Sequence, residues 1–199
     1  MAGERARGWR DEVFKHRGLL LALPAVSLGF LGRPTRGSIV RGVPVAFAGE
    51  ALRCWAVGYS GVTTRSDEVT APALTTAGPY AFVRNPLYVG NFVTALGFTI
   101  AFTGALPVAQ RAALSALGLG TMLAVYAAIV PLEERYLRET FGEAFEDYVR
   151  RVPRLIPRLW PSAPRTGRYD GRVIAAAETR TFVTFGLMLV ALAFKAVRA

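Results

Sequence analysis

Five apolar runs, at 18–32, 42–61, 87–106, 112–132 and 181–194, dominate this 199-residue chain, and each is long enough, or nearly so, to cross or enter a bilayer. In hydrocarbon a backbone must satisfy its own hydrogen bonds, which leaves helices as the economical answer for runs of this length. With 52% hydrophobic and only 19% charged residues, and a mean hydropathy of +0.32, the chain is a poor match to a soluble domain. The expectation is an all-α, polytopic transmembrane helix bundle of about five spans forming a single membrane domain. Its N-terminal helices fall within 18–61, a region holding two further spans and the long loops, expected to carry the function, within 62–160, and an additional C-terminal span within 181–199. The first run is preceded by Lys15, His16 and Arg17, begins late, lacks a clear small-residue cleavage site and is closed by Arg33, so it reads as a short membrane helix rather than a signal peptide.

The net charge of +10 is distributed by side. With five crossings, the N-terminal tail, the loop 62–86 and the segment 133–180 share one face and carry 17 of the 24 lysines and arginines. By the positive-inside rule that face is cytoplasmic. The expected partners are membrane lipids, not nucleic acid. Cys54 is the single cysteine and His16 the single histidine, which removes an intrachain disulfide, a Ser-His-Asp triad and a His-Cys zinc site from the available chemistry. No metal site is expected, and any catalysis falls to carboxylates, arginines, tyrosines, backbone groups or a cofactor.

Two segments carry the functional signal. The first, GPYAFVRNPLYVG at 78–90, sets a Gly78-Pro79 turn and Tyr80 before Pro86, which breaks the backbone at the start of the third apolar run. Broken backbone at membrane depth must be met by protein, water or ligand, so Arg84, Asn85 and Tyr88 frame a candidate cradle; an interfacial Tyr-Arg anchor is the plainer alternative. The second, PLEERYLRETFGEAFEDYVRRVPRLIP at 131–157, places Leu137, Phe141, Phe145 and Tyr148 on one face, which predicts an amphipathic helix over 133–149 along the membrane surface. Pro153, Pro157, Pro161 and Pro164 then exclude helix until the last span. Within the second run, Glu50 and Arg53 can pair on one helix face, either as a self-neutralised pair or as part of a polar cavity in the bundle.

Together these two segments resemble the membrane methyltransferases that include isoprenylcysteine carboxyl methyltransferase and the phospholipid N-methyltransferases. Members typically show G-x-Y, then R-H-P-x-Y-x-G, and after the next hairpin E-E-x-x-L-x-x-x-F-G-x-x-Y-x-x-Y and R-V-P. The resemblance implies S-adenosylmethionine as cofactor, with Tyr80, Asn85, Pro86, Leu87 and Tyr88 lining its site and Glu133 meeting its methionine part. It implies methyl transfer to the carboxyl or amine of a lipid-like or isoprenylated amphiphile, from an active site facing the cytoplasm, in a bacterial inner membrane. Glu133, Arg151 and Arg154 are the residues expected to serve the reaction, with Arg150, Arg151 and Arg154 placed to hold an anionic head. Two departures stand out. Asn85 replaces the usual histidine, and Ile129 replaces an arginine that meets the substrate in the prenylcysteine enzymes. The competing readings are a sterol-reductase-like membrane oxidoreductase using a reduced nicotinamide phosphate, and a non-catalytic lipid-binding protein.

Overall fold

In the computed structural model, which describes residues 9–61 and 73–198, all five apolar runs are helical and no strand occurs among the described residues. The helices are α1 (Trp9–Leu31), α2 (Arg36–Ser60), α3 (Pro86–Phe102), α4 (Val108–Ser115), α5 (Thr121–Phe141), α6 (Glu143–Arg151) and α7 (Val173–Val197). A five-residue π-helical turn, Ala116–Gly120, joins α4 to α5, so that 108–141 forms one continuous rod. The protein is an integral membrane protein: Glu12–Leu31, Val108–Phe141 and Val173–Val197 are each long and apolar enough to cross a bilayer. α3 is apolar but only 17 residues long, and α2 carries Arg36, Arg41, Glu50 and Arg53 along its 25 residues. Most basic residues of the N-terminal tail are described, but Arg5 and Arg7, and the loop portion 62–72 with Arg65, lie outside the described residues.

α2 and α3 form the tightest pairing, because their facing surfaces are stripped of side chains. Gly42, Ala46 and Gly49 on α2 meet Gly90, Thr94, Gly97 and Ala101 on α3 at the three- and four-residue spacing of small-residue membrane helix pairs. A Cβ added at Gly97 would sit 2.2 Å from Ala46 N, and one at Gly42 would sit 2.4 Å from the Gly97 carbonyl oxygen. Ser38 Oγ closes the contact by donating to the Ala101 carbonyl at 2.7 Å. The same Ser38 completes a capping box at the start of α2, accepting from the Thr35 amide while Thr35 Oγ1 accepts from the Ser38 amide. Around this pair, Phe98 and Phe102 pack with Leu28 of α1 and Phe185, Met188 and Leu192 of α7.

The buried pair on α2 belongs to a three-helix polar cluster. Arg53 donates to Glu178 of α7 at 2.6 Å and to Asn91 of α3, while Glu50 stands farther away at 3.8 Å. Glu178 is fully buried and Arg53 nearly so, 0% and 8% exposed. The pair is thus neither self-contained nor seen to line a cavity: its arginine is shared with α3 and α7.

The surface helix differs from its expectation. No separate amphipathic helix runs over 133–149: α5 carries the membrane rod straight through Glu133 and Glu134 to Phe141, and the chain then breaks at Gly142. Gly142 adopts φ +52, a conformation that side-chain-bearing residues avoid, and its amide caps Arg138. α6 starts afresh at Glu143, with acids in its first turn and Arg150 and Arg151 in its last, as the helix dipole favours. The apolar periodicity is present on both sides of the break, and Phe145, Tyr148 and Val152 pack with Leu137, Phe141 and Leu74. Periodicity alone does not reveal a kink that preserves it.

Candidate functional site

The proline-broken segment 78–86 and the chain after α6 are laced together at one end of the bundle. The Arg84 amide donates to the Pro153 carbonyl at 2.8 Å, the Arg158 amide to Phe82 at 3.0 Å and the Ser162 amide to Ala81 at 2.8 Å. Tyr148 Oη adds a bond to the Tyr80 carbonyl at 2.8 Å. The Tyr148 phenol is driven well above its ordinary pKa by burial, and that of Tyr80 up to about 12 for the same reason. Both stay protonated at neutral pH. The open hydrogen-bonding groups around Pro86 are thus met by protein, and Pro86 itself sits at the first turn of α3, where the missing amide costs nothing.

The adjacent acids of α5 part company. Successive residues on a helix point about 100° apart, and here Glu133 and Glu134 face different neighbours. Glu134, 4% exposed, accepts from Arg84 Nε and Nη2 at 3.0 Å each and from Arg154 Nε at 3.1 Å, with a further bond from Arg154 Nη2. Arg84 extends this hub by donating through Nη1 to the carbonyls of Val149, at 3.2 Å, and Val152. One carboxylate therefore ties together the segments around Arg84, α5 and the chain after α6.

Glu133 turns instead towards α3. Tyr88 Oη donates to Glu133 Oε1 at 2.5 Å, and the Tyr88 ring lies 4.3 Å from the Tyr126 ring of α5. The Tyr126 hydroxyl is buried beside Asn91 but makes no hydrogen bond of good geometry. Arg17 of α1 lies over the Phe14 ring, 4.0 Å from its centroid, and donates to the Phe14 carbonyl at 2.6 Å, at the edge of this cluster. A carboxylate and two closely packed, tilted phenols form a compact polar site inside an otherwise apolar cluster of Phe14, Val125, Ile129 and Val130.

The other expected residues take the following places. Leu87 is half-buried in the first turn of α3 and Asn85 donates from Nδ2 to the Arg154 carbonyl at 3.0 Å, so Asn85 serves here as a backbone clamp. Ile129, 1% exposed, fills the core beside Tyr126. Arg151 donates to the carbonyls of Asp147, at 2.9 Å, and Ala163. With Arg150 and Arg158 it also lines an open cleft of about 530 Å³ on the surface. Tyr88 and Glu133 are brought into contact; Arg154 instead joins the Glu134 hub, and Arg151 binds the backbone of α6 and of the chain after it. Sequence reasoning did not single out Tyr126, Arg17, Asn91 or Glu178. Asn91 and Glu178 are polar residues inside or flanking apolar runs, and that is the signal which could have found them.

Comparison with known proteins gives this end of the bundle a family. The phospholipid methyltransferase family profile matches residues 39–144, which hold most of α2, all of α3 and α5, and both halves of the Tyr88–Glu133 contact. The nickel-cobalt-cadmium resistance protein NccN of Alcaligenes xylosoxydans xylosoxydans is 42% identical over 43% of this chain and 37% of its own length. Methanethiol S-methyltransferase 2 of Bradyrhizobium diazoefficiens is 32% identical over 58% of this chain and 40% of its own length. Protein-S-isoprenylcysteine O-methyltransferase of Schizosaccharomyces pombe is 35% identical over 43% and 34% respectively. The matches span about two fifths or less of these curated relatives. No solved structure matches the chain. Since the family profile covers more than half of its residues, including Tyr88 and Glu133, this chain belongs to the phospholipid methyltransferase family.

Proposed function

We propose that this chain is an S-adenosylmethionine-dependent methyltransferase whose acceptor is a lipid-like amphiphile at the membrane interface. The observation that carries the reading is the 2.5 Å bond from Tyr88 to Glu133, which brings together the two motif segments beside closely packed aromatic rings. The residues fit the cofactor's chemistry. A partly buried carboxylate such as Glu133 accepts hydrogen bonds from an ammonium, and phenol faces attract a sulfonium by cation–π interaction. When bound, S-adenosylmethionine supplies an electrophilic methyl group on an already activated leaving group.

The chain's own task is then to hold, align and exclude water. Glu133, oriented by Tyr88, would hold the methionine part; Tyr80, Asn85, Pro86 and Leu87 would complete the wall at the entry to α3. Arg154 is bound to Glu134 through Nε and Nη2, which leaves Nη1 for an anionic head, and Arg151 stands with it on the same side. Such a site would sit at the cytoplasmic surface of a bacterial inner membrane, the face carrying most lysines and arginines. The competing acceptor class is a thiol, since one relative is named for methanethiol. Another relative is named for metal resistance. Among the described residues no three His, Cys, Asp or Glu side chains gather as a metal would require, and no metal role is proposed.

Calorimetric titration of the purified full chain with S-adenosylhomocysteine and with reduced nicotinamide phosphate tests the cofactor. Binding of the first alone is expected; binding of the nicotinamide alone would replace this reading with a reductase. Radiolabelled methyl transfer into a total lipid extract and into a soluble pool tests the acceptor. Label confined to soluble thiols would overturn the amphiphile assignment while leaving methyl transfer standing.

A further inference from the structure

The opposite end of the bundle is built from 31–48, 99–120 and 184–198, and these segments contain Arg33, Arg36, Arg41, Arg111, Lys195 and Arg198 but no Asp or Glu. At this end the loops are short and locked: the Ala105 amide donates to the Arg33 carbonyl at 2.8 Å, and Lys195 Nζ caps α1 by donating to the carbonyls of Phe30 and Gly32 at 2.9 and 3.0 Å. Between α1 and α7 lies a groove of about 820 Å³, walled by Ala22, Val26, Gly29, Leu187, Met188 and Ala191, with Arg33, Lys195 and Arg198 at its mouth. Arg33 and Arg198 are exposed. The Arg198 guanidinium lies over the Phe194 ring, 4.0 Å from its centroid, which holds the charge at the rim.

We propose that this groove binds one anionic phospholipid, its acyl chain between α1 and α7 and its phosphate on Arg33 and Arg198. Charge complementarity selects the occupant. An apolar slot whose mouth, among the described residues, holds three cations and no Asp or Glu matches a molecule with a long apolar tail and a negatively charged head, and a guanidinium recognises phosphate through paired donors. A zwitterionic lipid brings a cation to the same mouth and loses that attraction. From Tyr88 to Phe102, the end of α3 beside Gly32 at the groove mouth, the helix rises about 21 Å at 1.5 Å per residue. This lipid is therefore distinct from the acceptor of the proposed reaction, and it completes the packing of α1 on α7.

The test uses the full chain purified in detergent, titrated with dioleoylphosphatidylglycerol or dioleoylphosphatidylcholine and read by native mass spectrometry and by thermal unfolding. The wild type is expected to retain one phosphatidylglycerol at least tenfold more tightly than phosphatidylcholine and to gain several degrees in Tm with it alone. Arg33→Gln with Arg198→Gln should reduce the preference to within twofold. Gly29→Leu should abolish retention of both lipids without changing the lipid-free Tm, because a Cβ at Gly29 meets nothing within 4 Å and the added side chain enters the groove. Equal retention of the two lipids by the wild type, or phosphatidylglycerol retention unaltered in both variants, would overturn the proposal.

Discussion

Tyr88 and Glu133, 45 residues apart in the chain, share a 2.5 Å hydrogen bond across the α3–α5 contact. Glu134, one residue on, makes none with Tyr88 and anchors Arg84 and Arg154 instead. Two chemically identical neighbours have thus been given separable duties, and the separation can be measured.

Glu133→Gln is expected to weaken S-adenosylhomocysteine binding at least tenfold, about 1.4 kcal/mol, while leaving the unfolding midpoint near that of the wild type. Tyr88→Phe should act in the same direction, since it removes the bond that orients the carboxylate. Calorimetry of both variants decides; undiminished affinity in both would remove Glu133 and Tyr88 from the cofactor site.

Glu134→Ala should behave as a stability lesion. It leaves the buried Arg84 guanidinium without its carboxylate partner, a loss on the order of 3–5 kcal/mol for a buried pair broken on one side. Denaturant unfolding in mixed micelles measures it. A variant as stable as the wild type, with lost cofactor binding, would reverse the division of labour between the two acids.

Gly97→Ala inserts a methyl 2.2 Å from Ala46 N, between two backbones that have no flexible end to yield. The expected cost is about 1–3 kcal/mol. Gly186→Ala on α7, where a Cβ meets nothing within 4 Å, supplies the control and should be neutral or stabilising by up to about 1 kcal/mol. Equal effects of the two changes would mean that the α2–α3 pair is looser than its glycines imply.

Alkaline pH should loosen the lacing around the site. The Tyr80 pKa is raised from 10.0 to about 12 by burial, and that of Tyr148 is raised further by the same cause. A group that holds its proton more tightly when folded contributes stability in full below pH 10 and loses it as pH rises through its folded value. Unfolding free energy should therefore fall between pH 10 and 12, and Tyr80→Phe should flatten that slope. An unchanged slope would assign the alkaline loss elsewhere.

How much of this was legible beforehand can be seen at particular residues. The apolar runs determined the helices, because a backbone in hydrocarbon has no other local way to satisfy itself; Pro86 determined where α3 begins, and the lone Cys54 and His16 limited the chemistry. The motif pairing put Tyr88 and Glu133 in one expected site, and the two side chains do meet in a hydrogen bond. Tertiary structure decided which atoms meet. Spacing along α2 pointed Arg53 to Glu50, yet its guanidinium is held at 2.6 Å by Glu178, 125 residues away, against 3.8 Å for Glu50. It likewise assigned Glu133 to α3 and Glu134 to the loop, and broke the surface helix at Gly142. The physical reason is common to all three: helical periodicity records which side chains share a face, whereas the neighbour each face meets depends on how the helices are rotated and crossed, and that is determined only when all the helices pack together.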